Sequence, residues 1–531
     1  MSEAQVFDPQ GFLSWFKRSG GWYDETLLGL KSYAGMGYGA VALKDVPEDA
    51  PLFHIPDTLI LSPFNSDLKT KLSGEEWGAL DRGWCRLILT MMYETQLGEQ
   101  SRWSGYLSNM PTEFDTPMLW NEEERQALAG TDIQDRIGKE DADKEYETYL
   151  LPVIKAHPEL FPPSSAHSTL AAFHLQGSRV LSRSFTVPLF RFDPSYKNQE
   201  NDDNGDDSDI SDVDDDEGEQ VAVMIPFADM LNAAFERDNA HLYGDEDGDE
   251  EGNTEDEGGS SRWEKGFTMK STKAISKGDQ IYNTYASPPN AELLRKYGHV
   301  DVLPLPTDSL DLLTKEEIGG WPYGNAGDEV LLDGKLVVEA VAEVLGSGPS
   351  TSAGADDKWR KSVEKRVDWW LDEGLEDSFP LSLSPELDDE LIQFIRLLAY
   401  DAEWMRCKKK GKLPTSMMDA RVAAVVLKSV EMRQSGYKGS IQDDLDIIAS
   451  VNAEHIPRPE GHDIANTTTG PNTTPTELRK SYAAVVRLGE KRILNAVSRL
   501  AEELSSNHNA SKKRKAEGED EGKGKGKGQW Q

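Results

Sequence analysis

Residues 278–300 read GDQIYNTYASPPNAELLRKYGHV. The β-prone run QIYNTY carries Tyr285, a Pro-Pro turn at 288–289 breaks it, and a helical stretch bearing Tyr297 follows. A strand, a tight turn and a helix are therefore expected in that order. Taken singly, tyrosines in such places are usually core residues with a bonded hydroxyl. The meaning of the segment depends on what lies around it.

Upstream, VAVMIP (221–226), NAHLY (239–243) and GFTMKST (266–272) are short, β-prone and bounded by turn or charged residues, so a further set of small strands is expected. IPFADMLNA (225–233) follows the first of them and presents Asp229 and Asn232 close together. Asp229 reads as a turn or cap residue. Near the N-terminus, residues 8–17 predict a short amphipathic helix with Phe12, Leu13, Trp15 and Phe16 on its apolar side. LLGLKSY (27–33), GAVAL (39–43) and PLFHIP (51–56) predict small strands joined by tight turns. In AGMGYGAVA (34–42), Gly35, Gly37 and Gly39 leave a strand edge bare, where a ligand can approach the backbone. The spacing is not that of a dinucleotide fingerprint, because β-prone sequence follows in place of a helix.

Between these two strand regions, 75–96 (EEWGALDRGWCRLILTMMYETQ) and 141–157 (DADKEYETYLLPVIKAH) carry apolar residues at helical spacing, so a helical block is inserted among the strands. Beyond Leu305 the chain turns helical again, with a Gly/Ser/Ala/Asp-rich break at 346–357. Ser440 with Asp443 resembles a helix start. From Leu478, the positions Tyr482, Val485, Ile493, Val497, Leu500 and Leu504 predict one buried face of a long amphipathic helix.

The net charge is −38 over 531 residues, and two short tracts supply much of it. Residues 200–219 hold twelve acids and no Lys or Arg, and 245–257 hold nine, which leaves −17 for the rest. Such runs read as solvated insertions. This acidity argues against direct DNA binding. Cys85 and Cys407, the only cysteines, suit a reducing compartment, and no segment reads as a leader or membrane span. No cluster has metal-ligand spacing. Lys512-Lys513-Arg514-Lys515 reads as a nuclear import signal or a solubilising end.

In this order, the glycine strand motif, a helical insert ending in LSRSF (181–185), PFADMLN and the run from NTY to AELLRKYG resemble the SET-domain methyltransferases of the plant Rubisco large-subunit type. The run IYNTY to LLRKYG, with SIQDDL and VVRLGEKRIL, looks most like the fungal members that methylate ribosomal lysines. The resemblance implies an α+β fold: a SET-domain β-fold of short strands with a helical insert, followed by an all-α substrate-binding domain. Its layout would be 1–74 for the N-terminal helix and first part of the SET domain and 75–184 for the insert. Residues 185–304 would form the second part, with disordered acidic tracts at 198–220 and 244–262, then 305–507 the helical domain and 508–531 a disordered basic tail.

The resemblance also implies S-adenosylmethionine as cofactor. Gly37, Tyr38 and Gly39 match the strand whose backbone meets it, Arg183 the arginine that pairs with its carboxylate, and Asn232 the asparagine at its methionyl end. Tyr285 matches the catalytic tyrosine and Tyr297 an aromatic flanking the cofactor and lysine channel. Three positions depart from the pattern. Ala233 replaces a His whose backbone reaches the adenine, Ala286 replaces the Gly after the catalytic tyrosine, and Met36 replaces an acid. The implied function is methylation of a lysine on a basic ribosomal protein, by a monomer acting in the nucleus and also in the cytoplasm. The alternatives are a SET-type histidine methyltransferase and a non-catalytic acidic nuclear docking protein or chaperone.

Overall fold

The computed structural model describes residues 7–33, 37–193, 219–232, 237–245, 263–283, 288–345, 353–384, 386–452 and 474–524, the last with backbone alone beyond 506. The chain divides into two compact units. Met1–Met118 and Gly138–Ser287 build the first, and Leu119–Ile137, Pro288–His462 and Thr469–Gln531 the second.

The first unit opens on helix α1 (Pro9–Arg18). Asp8 caps it by accepting from the Gly11 N–H at 3.0 Å, Pro9 sits at the first helical position, and Lys17 and Arg18 fall in the last turn. Phe12, Leu13, Trp15 and Phe16 are all buried, as their spacing predicts. Each contributes about 1.5–3 kcal/mol by leaving water.

Nine short strands follow among the described residues: β1 (Trp22–Tyr23), β2 (Leu28–Tyr33), β3 (Gly37–Ala42), β4 (Pro51–Pro56), β5 (Ser184–Pro188), β6 (Gln220–Met224), β7 (Ala240–Gly244), β8 (Gly266–Ser271) and β9 (Gln280–Ile281). They form small antiparallel sheets in the orders β1-β4-β8-β7, β2-β3-β9 and β5-β6. The second acidic tract connects β7 to β8 and the first connects β5 to β6, so both fall in hairpin connections. Residues 194–218 and 246–262 themselves lie outside the described residues.

Helices α2 (Cys85–Leu97), α3 (Ser104–Leu107) and α4 (Leu170–Arg183) belong to the helical block set between β4 and β5. The helix expected over 141–157 is not uniform. A π-helical turn, Tyr146–Leu150, precedes Pro152, which has no N–H to continue the α-helical ladder.

Helices dominate the second unit, and two short antiparallel pairs join them: β10 (Leu303–Pro304) with β11 (Tyr323–Gly324), and β12 (Glu329–Asp333) with β13 (Ser378–Ser382). The main helices here are α5 (Asn290–Tyr297), α6 (Gly334–Val344), α7 (Asp389–Ala399), α8 (Ala420–Gln434), α9 (Ile441–Asn452) and α10 (Pro475–Gly524). Ser440 and Asp443 form the expected start of α9, with the Asp443 N–H donating to Ser440 Oγ and the Ser440 N–H to Asp443 Oδ2.

Residues 119–137 read in the sequence as part of the insert, and the structure groups them with this second unit. Trp120, Leu128 and Ile133 share a core with Ala483 and Val486 of α10. Glu124 accepts from Arg479 at 2.9 Å, and Asp132 pairs with Arg433 at 2.6 Å. Helix α10 continues through 508–524, the stretch expected to be disordered. Its Lys, Arg, Ala and Glu residues are good helix formers.

Candidate active site

The site is assembled on β3 and the turn after β6. Gly37 opens β3 with φ of +71°, in the left-handed region that suits glycine, and a Cβ there would meet nothing within 4 Å among the described residues. Gly39 is bare for a different reason. A Cβ on it would lie 2.5 Å from Gln280 Nε2, 2.7 Å from Asn232 Nδ2 and 3.3 Å from the ring of Tyr33. The space expected to admit a ligand is thus split: open at Gly37, and filled by two side-chain amides at Gly39. Between them the half-buried ring of Tyr38 packs on Phe7 with centroids 4.5 Å apart.

The turn after β6 depends on Phe227. This fully buried residue adopts φ of +81°, which is strained for a side chain of its size. Its ring stacks on Phe53 at 4.4 Å and meets Phe12 and Phe16 edge-on at 5.6 and 5.1 Å. The aromatic packing offsets the strain and sets the direction in which Ala228–Met230 leave the sheet.

Asp229, expected as a turn or cap residue, does more. Arg183, the last residue of α4, donates from Nη1 to the Asp229 carbonyl at 2.8 Å and contacts its carboxylate at 3.4 Å. The Tyr106 hydroxyl of α3 donates to the same carboxylate at 2.9 Å. Burial pushes the Asp229 carboxyl above the ordinary carboxylate range, while Arg183 and the Tyr106 bond pull it down. Burial, with the Asp229 charge beside it, holds Tyr106 well above the usual phenol range, so it stays a neutral donor. Arg183 keeps 30% of its side chain exposed. Its Nε and Nη2 edge has no hydrogen-bond partner among the described residues, and that edge suits a carboxylate held bidentately.

Asn232 lies three residues beyond Asp229. Its backbone carbonyl accepts from the Asn283 N–H at 3.0 Å, while its buried Nδ2 has no partner among the described residues. Asn232 and Gly39 are therefore brought together in the first unit, with Gly37 and Tyr38 beside Gly39 on β3 and Arg183 on Asp229, three residues before Asn232. Tyr297 ends α5 in the second unit. Tyr285 and Ala233, with Met36 and Ala286, lie outside the described residues. A sulfonium amino-acid cofactor needs a cation for its carboxylate, an acceptor for its ammonium and a strand that admits it closely. The exposed guanidinium edge of Arg183, the amide oxygen of Asn232 and, among the described residues, the open Gly37 fit those needs.

Sequence reasoning missed Tyr106, Phe227 and Gln280. Phe227 sits inside a motif that was read, but no residue pattern signals its positive φ. Tyr106 carries no local signal at all, because its partner is 123 residues away.

The family model for the Rubisco LSMT substrate-binding domain matches residues 357–494. N-lysine methyltransferase SETD6 of Mus musculus is 30% identical over 306 residues, covering 56% of this chain and 55% of that protein. Ribosomal lysine N-methyltransferase 4 of Saccharomyces cerevisiae is 26% identical over 439 residues, covering 80% and 77%. The chain thus spans about half the length of the SETD6 relatives it matches. Among solved structures, the SET domain of LSMT bound to lysine and AdoHcy superposes with a TM-score of 0.57 at 20% identity, over 93% of this chain and 91% of that one. Rubisco LSMT bound to AdoMet gives 0.56 at 19%. At these identities the likeness to solved structures is one of fold. The resemblance to SET-domain lysine methyltransferases of the Rubisco large-subunit type, and the α+β fold it implies, stand on these matches.

Proposed function

We propose that this chain is an S-adenosylmethionine-dependent protein-lysine N-methyltransferase whose substrate is a basic ribosomal protein. The observation that carries the proposal is the placement in the first unit of the partly exposed guanidinium of Arg183 on Asp229, three residues before Asn232, and of Asn232 against Gly39 on the strand that Gly37 opens. The names of the curated relatives support lysine as the acceptor, and that of the yeast relative supports a ribosomal substrate. The acidic surface implied by a net charge of −38 suits a basic partner.

When bound, the cofactor supplies an electrophilic methyl group and a positive charge beside the acceptor amine. Arg183 would hold its carboxylate, with Asp229 and Tyr106 fixing the guanidinium from behind. Asn232 would hold its ammonium through the amide oxygen. The amine must arrive neutral, which for a lysine of pKa about 10.4 costs roughly 4.6 kcal/mol at pH 7. A dry channel lowers that cost by disfavouring the ammonium form. Tyr285, by its match to the family's catalytic tyrosine, would orient the amine through a neutral hydroxyl. Lys512 to Lys515 direct the enzyme to the nucleus.

Calorimetric titration with S-adenosylmethionine tests the reading. The wild type binds, and Arg183→Lys, which keeps the charge but loses the planar fork, weakens binding by about tenfold or more. A wild type that does not bind the cofactor overturns it.

A further inference from the structure

One buried side chain at this site has no role in the scheme above. Gln280 is 7% exposed, and both of its terminal amide atoms are buried without a hydrogen-bond partner among the described residues. The Nδ2 of Asn232 is in the same condition. The two groups converge, since Gln280 Nε2 and Asn232 Nδ2 lie 2.5 and 2.7 Å from the single point that a Gly39 Cβ would occupy.

Neither backbone is free to move. Gln280 pairs with Val41 in the β3–β9 ladder, and its carbonyl accepts from Asn239 Nδ2 at 3.1 Å. Asn239 Oδ1 also takes the Tyr282 N–H at 2.9 Å, and the Asn283 N–H fixes the Asn232 carbonyl. What remains adjustable is rotation of the amides. A half-turn of the Gln280 terminal torsion exchanges Nε2 and Oε1 with no change in volume. That exchange turns an acceptor toward the Asn232 Nδ2 donor above the bare Cα of Gly39, the pairing that would satisfy both atoms.

We infer that Gln280 is a positioning residue of the cofactor site: its amide holds Asn232 over Gly39, so that Asn232 presents its amide oxygen to the ammonium of the bound cofactor. This account explains why glycine is required at 39, where any Cβ would separate the two amides. It rests on the methyltransferase reading, and its effect passes through Asn232.

A double-mutant cycle on the full chain tests it, with affinity for S-adenosylmethionine measured by titration. Gln280→Met fills the same volume without a polar atom and weakens binding about tenfold. It leaves KM for the protein substrate unchanged. In an Asn232→Ala background, Gln280→Met has no further effect. Unchanged affinity in the single variant, or additive losses in the double, overturns the inference. Should the wild type bind no cofactor, the functional reading fails by itself. Crystal structures of the cofactor-free wild type and Gln280→Met still decide the positioning role. It requires a Gln280–Asn232 hydrogen bond in the first and a displaced or multiple Asn232 rotamer in the second, and an identical Asn232 in both overturns it.

Discussion

At Gly37 and Gly39, two residues that look alike in sequence do different things. Gly37 needs a positive φ and faces open space, whereas Gly39 needs the absence of a Cβ beneath two amides. Gly37→Ala should therefore lower stability by about 1–2 kcal/mol through backbone strain, read as a shift in the denaturant midpoint. Gly39→Ala should overpack the site at a cost of about 1–3 kcal/mol and should lower cofactor affinity as well. Equal effects of the two substitutions on affinity would contradict this division. Tyr106→Phe removes the hydroxyl that the buried Asp229 carboxylate accepts from, and should destabilise by about 1–3 kcal/mol in chemical denaturation. Arg183 and Asn232 could be singled out as candidates because each sits in a short local motif. Tyr106 and Gln280 could not, because what they touch, Asp229 and the space over Gly39, lies far away in the chain.

Elements read well from sequence where one face decides them. Helix α1 was legible from four apolar residues and its Asp8 cap, and Asp8→Ala should cost about 1 kcal/mol in unfolding free energy. Helix α10 was legible as a helix but not in its surroundings. One apolar face was expected, yet Arg487, Glu490, Lys491 and Arg492 are buried too. They are accommodated by pairing. Arg487 and Lys491 share Asp444, and Arg492 donates to the carbonyls of Glu317, Tyr323 and Trp321. No hydrophobic periodicity reports such partners.

Glu490 has a consequence for pH. It and Asp132 share Arg433, and burial together with the Asp132 charge pushes its carboxyl up to about 8. A carboxyl raised on folding stabilises the fold below its unfolded pKa, and that contribution is lost as pH rises through about 8. The stability of the second unit should fall between about pH 4.5 and 8, and Glu490→Gln should flatten that fall. An unchanged slope in denaturation curves across this window would contradict the assignment.

At the scale of the whole molecule, the order of strands, helical block, strands and helices was legible, because the change from β-prone runs to helical spacing is a local property. The grouping of residues 119–137 with the second unit was not, since it depends on Glu124, Asp132 and Trp120 finding partners some 300 residues later. Both acidic tracts fall in hairpin connections, where added length costs little. Deleting 198–218 and 246–262 together should leave methyl transfer within about twofold, as the weak dependence of loop closure on length implies. Loss of turnover on deletion would place the tracts in the machinery.

The central claim is methyl transfer to a ribosomal lysine, and the most direct measurement follows label from S-adenosylmethionine into ribosomal proteins of the same source, with the modified residue located by mass spectrometry. The account predicts label on a lysine with the wild type, and its near-complete loss with Tyr285→Phe. Label on a histidine, label that survives Tyr285→Phe, or no label from a protein that binds the cofactor would contradict it.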